Sequence, residues 1–388
     1  MMSDRYKSVS TKKNALKGIA LFLVILAVFA FGVGVGHRHW PPFEQLKHLD
    51  VIKNVFSGSS TAKSSTGEEE LLRHAFTDPI IDGEKLFPPI TSVDGIFKAN
   101  QSIFMDVGDF DDAYRKIRIL GADFLSLNGG NTKIVRVHFA LAGKEYDAYA
   151  YYLRVLSSGR EKAAALIIPG SGLNQSNGIF NRNPKNYHNG IMDALEGMGD
   201  IFVFIKPNED ILAFHNGRKK LNNDFIVNYH LNHGSSYSAS YIVQTLAMTK
   251  YLKSRYEKTI IAGLSQGGTA VLLNVLQSEP DIAIVASGYS VINERADWSG
   301  LDQIIIPGLY ASWTDHAMLV RRISKSRTHY LFTWGKQETG TYKIEAEEQR
   351  SCRMFQRLPN VRCAIHNGGH IFPVKEIKAF LIEEKGKK

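Results

Sequence analysis

Cysteine is scarce in this chain: Cys352 and Cys363 are the only two. With no others, and no Cys/His pairs at zinc spacing, a zinc module and a disulfide-framed scaffold are both excluded. An arginine-rich stripe is also missing. The formal charge of +9 is concentrated at the start, where Arg5, Lys7, Lys12, Lys13 and Lys17 outnumber Asp4 and supply +4 before residue 18. The rest is close to balanced, which argues against a nucleic-acid partner. There is no internal repeat. At 388 residues, 44% hydrophobic and 22% charged, the chain has the make-up of a globular protein with one large α/β core or two smaller ones.

Long apolar runs are absent too, with one exception. Residues 18–36 contain no charged side chain and consist mostly of Leu, Ile, Val, Phe and Ala. That length suits a helix crossing a hydrocarbon core and exceeds the apolar region of about 7–15 residues in a cleaved signal. The expectation is an uncleaved, single-pass transmembrane anchor. Five basic residues precede the run, and Arg38 and Lys47 are the nearest beyond it. The positive-inside rule therefore puts residues 1–17 in the cytoplasm and the body outside it, in the periplasm, a lumen or the extracellular space. Trp40 and Phe43 suit the far interface, and Gly32/Gly36 read as a helix exit before they read as a pairing face. Outside the cytoplasm a Cys352–Cys363 disulfide is permitted; two buried free thiols satisfy the sequence equally well.

After the anchor, residues 37–67 form a juxtamembrane segment. It has a short amphipathic pattern over Phe43–Phe56 and a Ser-rich flexible tether at 57–67. Residues 68–388 form the main domain, with 68–115 an N-terminal extension and the core from about 130. Lys133–Leu141 and Tyr146–Val155 alternate and read as an antiparallel hairpin. Six short apolar runs of the buried parallel type follow: Ala163–Ile168, Ile201–Ile205, Thr259–Ala262, Ile282–Ala286, His329–Thr333 and Val361–Ile365. Helical patterns over Tyr241–Leu252, Thr269–Leu276, Tyr342–Phe355 and Val374–Ile382 lie between or after them. Such alternation predicts an α/β fold: a mostly parallel sheet with helices on both faces.

The run Ile260-Ile261-Ala262 leads into Gly263-Leu264-Ser265-Gln266-Gly267, a G-x-S-x-G between a predicted strand and a predicted helix. Such a turn holds a serine in strained geometry at the sheet end and points backbone N–H groups at whatever it attacks. His370, in His366-Asn367-Gly368-Gly369-His370, follows the last strand, and its Gly-Gly lead-in lets the ring reach over the sheet end. His366, at the strand end, is its competitor. On these residues, 130–388 resembles the α/β-hydrolase fold, in which serine, acid and histidine occur in that chain order.

The resemblance implies a carboxylic ester hydrolase with Ser265 as nucleophile and His370 as base. Glu338 is the implied acid, in the Gly-x-x-acid stretch after Tyr330–Gly335; Asp315 in Trp313-Thr314-Asp315-His316 is the alternative. Gln266 and the loop Pro169-Gly170-Ser171-Gly172-Leu173-Asn174 would supply the oxyanion hole, with Ser171 or Gly172 as second donor. That loop lacks G-x-G-x-x-G, so a dinucleotide site is not expected. No cofactor or metal is implied, and His230-Leu231-Asn232-His233 reads as polar loop. Residues 208–240 and 287–325 are long enough to shape a substrate site. A peptidase of the same fold, a catalytically silent binding module and acyl transfer to an alcohol are the other readings. Asn100 and Asn174 begin glycosylation sequons, the second beside the implied site.

Overall fold

The computed structural model describes residues 110–126, 133–154, 163–213, 223–232, 236–291, 298–299, 304–306, 308–309 and 316–386. The anchor at 18–36, the Phe43–Phe56 pattern, the tether at 57–67, Asn100 and Asp315 lie outside them. Among the described residues no helix is long and apolar enough to cross a membrane.

In chain order the elements are α1 (Ala113–Lys116), β1 (Arg118–Ser126), β2 (Lys133–Leu141), β3 (Lys144–Leu153), β4 (Ala163–Ile168), α2 (Gln175–Phe180), α3 (Ile191–Leu195) and β5 (Asp200–Ile205). Next are α4 (Asp210–Ala213), α5 (Asn223–Asn232), α6 (Tyr237–Arg255), β6 (Lys258–Leu264), α7 (Gln266–Ser278), β7 (Ile282–Ala286), β8 (Ser290–Val291) and β9 (Trp298–Ser299). The chain closes with α8 (His316–Lys325), β10 (His329–Gly335), α9 (Gly340–Glu348), α10 (Arg350–Phe355), β11 (Val361–His366) and α11 (Val374–Gly386).

Nine strands form one sheet in the order β1-β2-β3-β5-β4-β6-β7-β10-β11. The β1/β2, β2/β3 and β3/β5 pairs are antiparallel, and all pairs from β5 to β11 are parallel. The expected hairpin is present, joined by Ala142 (φ 51°) and Gly143 (φ 77°), the two left-handed residues of a tight hairpin turn. It gains a third antiparallel strand, β1, that the sequence reading lacked.

The central strands are apolar throughout because both their faces are covered. In β4, Ala164, Leu166 and Ile168 pack beneath α6 and α7, while Ala165 and Ile167 meet α3 and α11 on the other side. Tyr342–Phe355, expected as one helix, is two: Gln349 at φ 53° caps α9 and starts α10. This is the architecture expected of an α/β-hydrolase.

The expected alternative of a Cys352–Cys363 bridge is corrected. Both residues are free thiols; α10 and β11 set them side by side, and the Cys363 contact and then burial hold the Cys352 thiol well above its ordinary pKa.

The strand order fixes where a site can form. From β4 the chain moves outward to β5, then returns across to β6 on β4's other side. At such a reversal the connections leave in opposite directions and open a crevice at the carboxyl ends of the strands. The loop after β4 and the turn after β6 line it.

Candidate active site

Ser265 sits in that turn, between β6 and α7, at φ 62° and ψ −130°. A non-glycine residue there costs on the order of 1–3 kcal/mol and persists only when its surroundings hold it. Two backbone bonds do so: Ser265 N–H donates to Ala286 O at 3.0 Å, and Thr269 N–H donates to Ser265 O at 3.0 Å. Small residues make the turn sterically feasible. A Cβ at Gly267 would come within 2.7 Å of Pro169 O and closer still to Ile168 O, and one at Gly263 would strike Gly267 O. The elbow and the loop after β4 are therefore in backbone contact.

Moving outward along the sheet from β6, the next parallel strands deliver further polar side chains to the same edge. Ser287 follows β7, Glu338 follows β10 and His370 follows β11. The Glu338 side chain is fully buried and accepts three hydrogen bonds. Its Oε2 pairs with His370 Nδ1 at 2.8 Å. Its Oε1 takes Ser287 Oγ–H at 2.6 Å and Gly335 N–H at 2.6 Å. As a carboxylate only accepts, the proton of this bond sits on His370 Nδ1, and Nε2 is the ring nitrogen not engaged by Glu338. The His370 ring packs near Tyr187 (centroids 5.8 Å apart) and Tyr342 (5.2 Å).

His366, the competing histidine, is buried and accepts Gly368 N–H at 3.2 Å, so it shapes the loop that carries His370. Burial lowers its pKa. In the segment His230–His233, His230 is a buried helical residue against Tyr237, and no metal-holding cluster occurs among the described residues.

The loop after β4 rests on a buried polar support that sequence reasoning missed. Gly170 N–H donates to His188 Nε2 at 2.8 Å, and His188 Nδ1–H donates to Asn186 Oδ1 at 2.9 Å. Lys206, fully buried just beyond β5, donates to the carbonyls of Gly170 and Gly172, the second at 2.7 Å. Glu209 accepts Ser176 N–H at 3.1 Å and the Ser176 hydroxyl, fixing the start of α2. Burial pushes Lys206 down to about 8 against the opposing pull of Glu209. Burial, then the charges of Lys206 and His370, hold His188 well below its ordinary value, so it is neutral. Ser176, the last residue of the Asn174 sequon, is enclosed by this support. The one available signal was a Lys directly after the apolar run Ile201–Ile205; nothing marked its partners, which are backbone carbonyls.

Chemically, the edge combines a strained serine with N–H groups at a helix start, a histidine bound through Nδ1, a buried carboxylate behind it and a glycine-rich loop on polar supports. No family model matches the chain, and no curated protein matches it in sequence. Several solved structures are similar to it. Est1E from Butyrivibrio proteoclasticus is 13% identical over 65% of this chain and 99% of its own, with a TM-score of 0.40. Acetyl xylan esterase 1 from a Thermoanaerobacterium species is 12% identical over 75% and 98%, with a TM-score of 0.43. A carbohydrate esterase family 15 glucuronoyl esterase from Caldicellulosiruptor kristjansonii is 15% identical over 72% and 85%, with a TM-score of 0.44.

Proposed function

We propose that this chain is a serine hydrolase that cleaves acyl esters. The observation that carries the reading is one sheet edge bearing both Ser265 at φ 62° and the 2.8 Å pair of His370 Nδ1 with a threefold-bonded, buried Glu338. A surface carboxylate near a histidine would not be enclosed this way.

In the proposed reaction Ser265 Oγ attacks the ester carbonyl carbon while its proton passes to His370 Nε2. Glu338 holds the ring and stabilises the imidazolium that forms. The carbonyl oxygen becomes an oxyanion facing the Gln266 N–H and an N–H of the 170–172 loop. The intermediate collapses, the C–O bond to the leaving alcohol breaks, and His370 returns the proton to that alcohol. Water then attacks the acyl-enzyme by the same route, giving the carboxylic acid and free Ser265. The chemistry draws on no cofactor.

The full chain, tested on p-nitrophenyl esters of two to twelve acyl carbons, is expected to hydrolyse at least one. Ser265→Ala and His370→Ala should each reduce kcat by about 10⁴-fold or more. Cleavage of short peptide amides without ester cleavage would replace this reading with the peptidase; inertness to both would leave a binding module.

We also propose that residues 18–36 anchor the protein, with the N-terminus cytoplasmic and residues 68–388 on the far side. The uncharged run and the five basic residues before it support this. The chain should then stay in the membrane pellet through alkaline carbonate washing, and residues 68–388 should be digested by protease given access to the non-cytoplasmic face of the membrane. Release by carbonate would overturn it.

A further inference from the structure

The loop after β4 offers several N–H groups, and the planarity of the peptide decides among them. In a trans peptide the C=O and the following N–H point in opposite directions. Gly170 N–H is already consumed by His188. The Ser171 carbonyl accepts the Tyr187 hydroxyl at 3.1 Å, and the Tyr187 ring stacks on His370. The Gly172 N–H, on the opposite end of that peptide, therefore faces away from the Tyr187–His370 side. Among the N–H groups of residues 170–172, what remains is the Ser171 N–H, whose peptide partner is the Gly170 carbonyl bound by Lys206. The loop reaches the serine from this side, since a Cβ at Gly170 would stand 2.7 Å from Leu264 O, one residue before Ser265.

We propose that Lys206 is a positioning residue for the oxyanion site. Its ammonium clamps the Gly170 and Gly172 carbonyls and turns the Ser171 N–H toward the space over Ser265, opposite the Gln266 N–H. The inference rests on the serine-hydrolase reading. A cation on the oxygen end of a peptide draws electron density from the N–H end, so the clamp both aims that donor and strengthens it. A lysine with no exposed surface is costly to bury, and its hydrogen bonds go to loop carbonyls while Glu209 opposes its loss of charge. A clamp that served stability alone could engage any carbonyl. Of the two carbonyls that this one engages, the Gly170 oxygen belongs to the peptide whose N–H is the remaining donor of residues 170–172.

The test uses the full chain with Lys206→Met and Lys206→Gln. Lys206→Met is expected to lower kcat on the best p-nitrophenyl ester by about 10–100-fold with KM within about threefold. It should weaken inhibition by a trifluoromethyl ketone, which binds as an oxyanion, by the same factor, and leave binding of the matching alcohol unchanged. Lys206→Gln, a neutral donor, should fall between wild type and Met. Where thermal melting shows Lys206→Met to be unfolded, Lys206→Gln decides by the same criteria. Variants with wild-type kcat and ketone affinity overturn the proposal, as does parallel loss of ketone and alcohol binding. Absence of fluorophosphonate uptake at Ser265 in wild type would instead bring down the hydrolase reading beneath it.

Discussion

Replacing Glu338 with Gln removes one charge and adds one N–H₂ with almost no change in volume, and the surrounding geometry dictates the outcome. The carboxylate receives donors at both oxygens: Ser287 Oγ and Gly335 N at Oε1, and His370 Nδ1 at Oε2. An amide has only one oxygen. With that oxygen toward Ser287 and Gly335, the amide N–H₂ faces His370 and forces its proton onto Nε2, the atom that must accept the serine proton. With the amide reversed, His370 keeps its tautomer, but N–H₂ confronts the buried Gly335 N–H. The second arrangement leaves a buried donor unpaired at about 1–3 kcal/mol, so the first is favoured. An amide in place of the triad acid elsewhere lowers kcat by about 10⁴ through the same tautomer fault. Glu338→Gln should therefore lower kcat by about 10³–10⁴-fold with little change in KM, and the protein should remain folded, less stable by about 1–3 kcal/mol. Initial rates on a p-nitrophenyl ester and a denaturant melt measure both. A kcat within tenfold of wild type in the folded variant would refute the role assigned to Glu338.

Three further outcomes follow from other contacts. Gly267→Ala should stabilise by about 1 kcal/mol on helix propensity alone, but the Cβ collides with the carbonyls of Ile168 and Pro169, so a net loss of about 3 kcal/mol is expected in a thermal melt. His188 is neutral when folded and has an ordinary pKa of 6.5, so the unfolded chain binds the extra proton. Its contribution is complete above that pH and lost as pH falls below it, by up to about 1.4 kcal/mol per unit. Denaturation of His188→Gln between pH 7.5 and 5 should show a shallower acid slope than wild type, and equal slopes would refute this. Denatured without reductant, the chain should titrate two thiols, and none would signify a bridge.

Strands buried on both faces were the most legible part of the fold. β4 and β7 begin and end where their apolar runs do, because no solvent-facing position interrupts them. β1 escaped notice because its register shifts between Ile119 and Gly121, breaking the alternation that identifies an edge strand. The stop between α9 and α10 was hidden because the helical spacing continues through Gln349, whose left-handed backbone leaves no trace in the apolar pattern. At the site, Ser265, Glu338 and His370 were readable because each follows a recognisable strand. Ser287, His188, Lys206 and Glu209 were not. They act on backbone groups or on one carboxylate across long sequence separations, and no short motif encodes such pairings.

The proposed chemistry requires Ser265 to be a nucleophile. The most direct measurement is mass spectrometry of the full chain after exposure to a fluorophosphonate. One phosphonyl adduct per chain is expected, on the peptide containing Gly263–Gly267, and it should be abolished in Ser265→Ala. No adduct on wild type, or an equal adduct on Ser265→Ala, would contradict it.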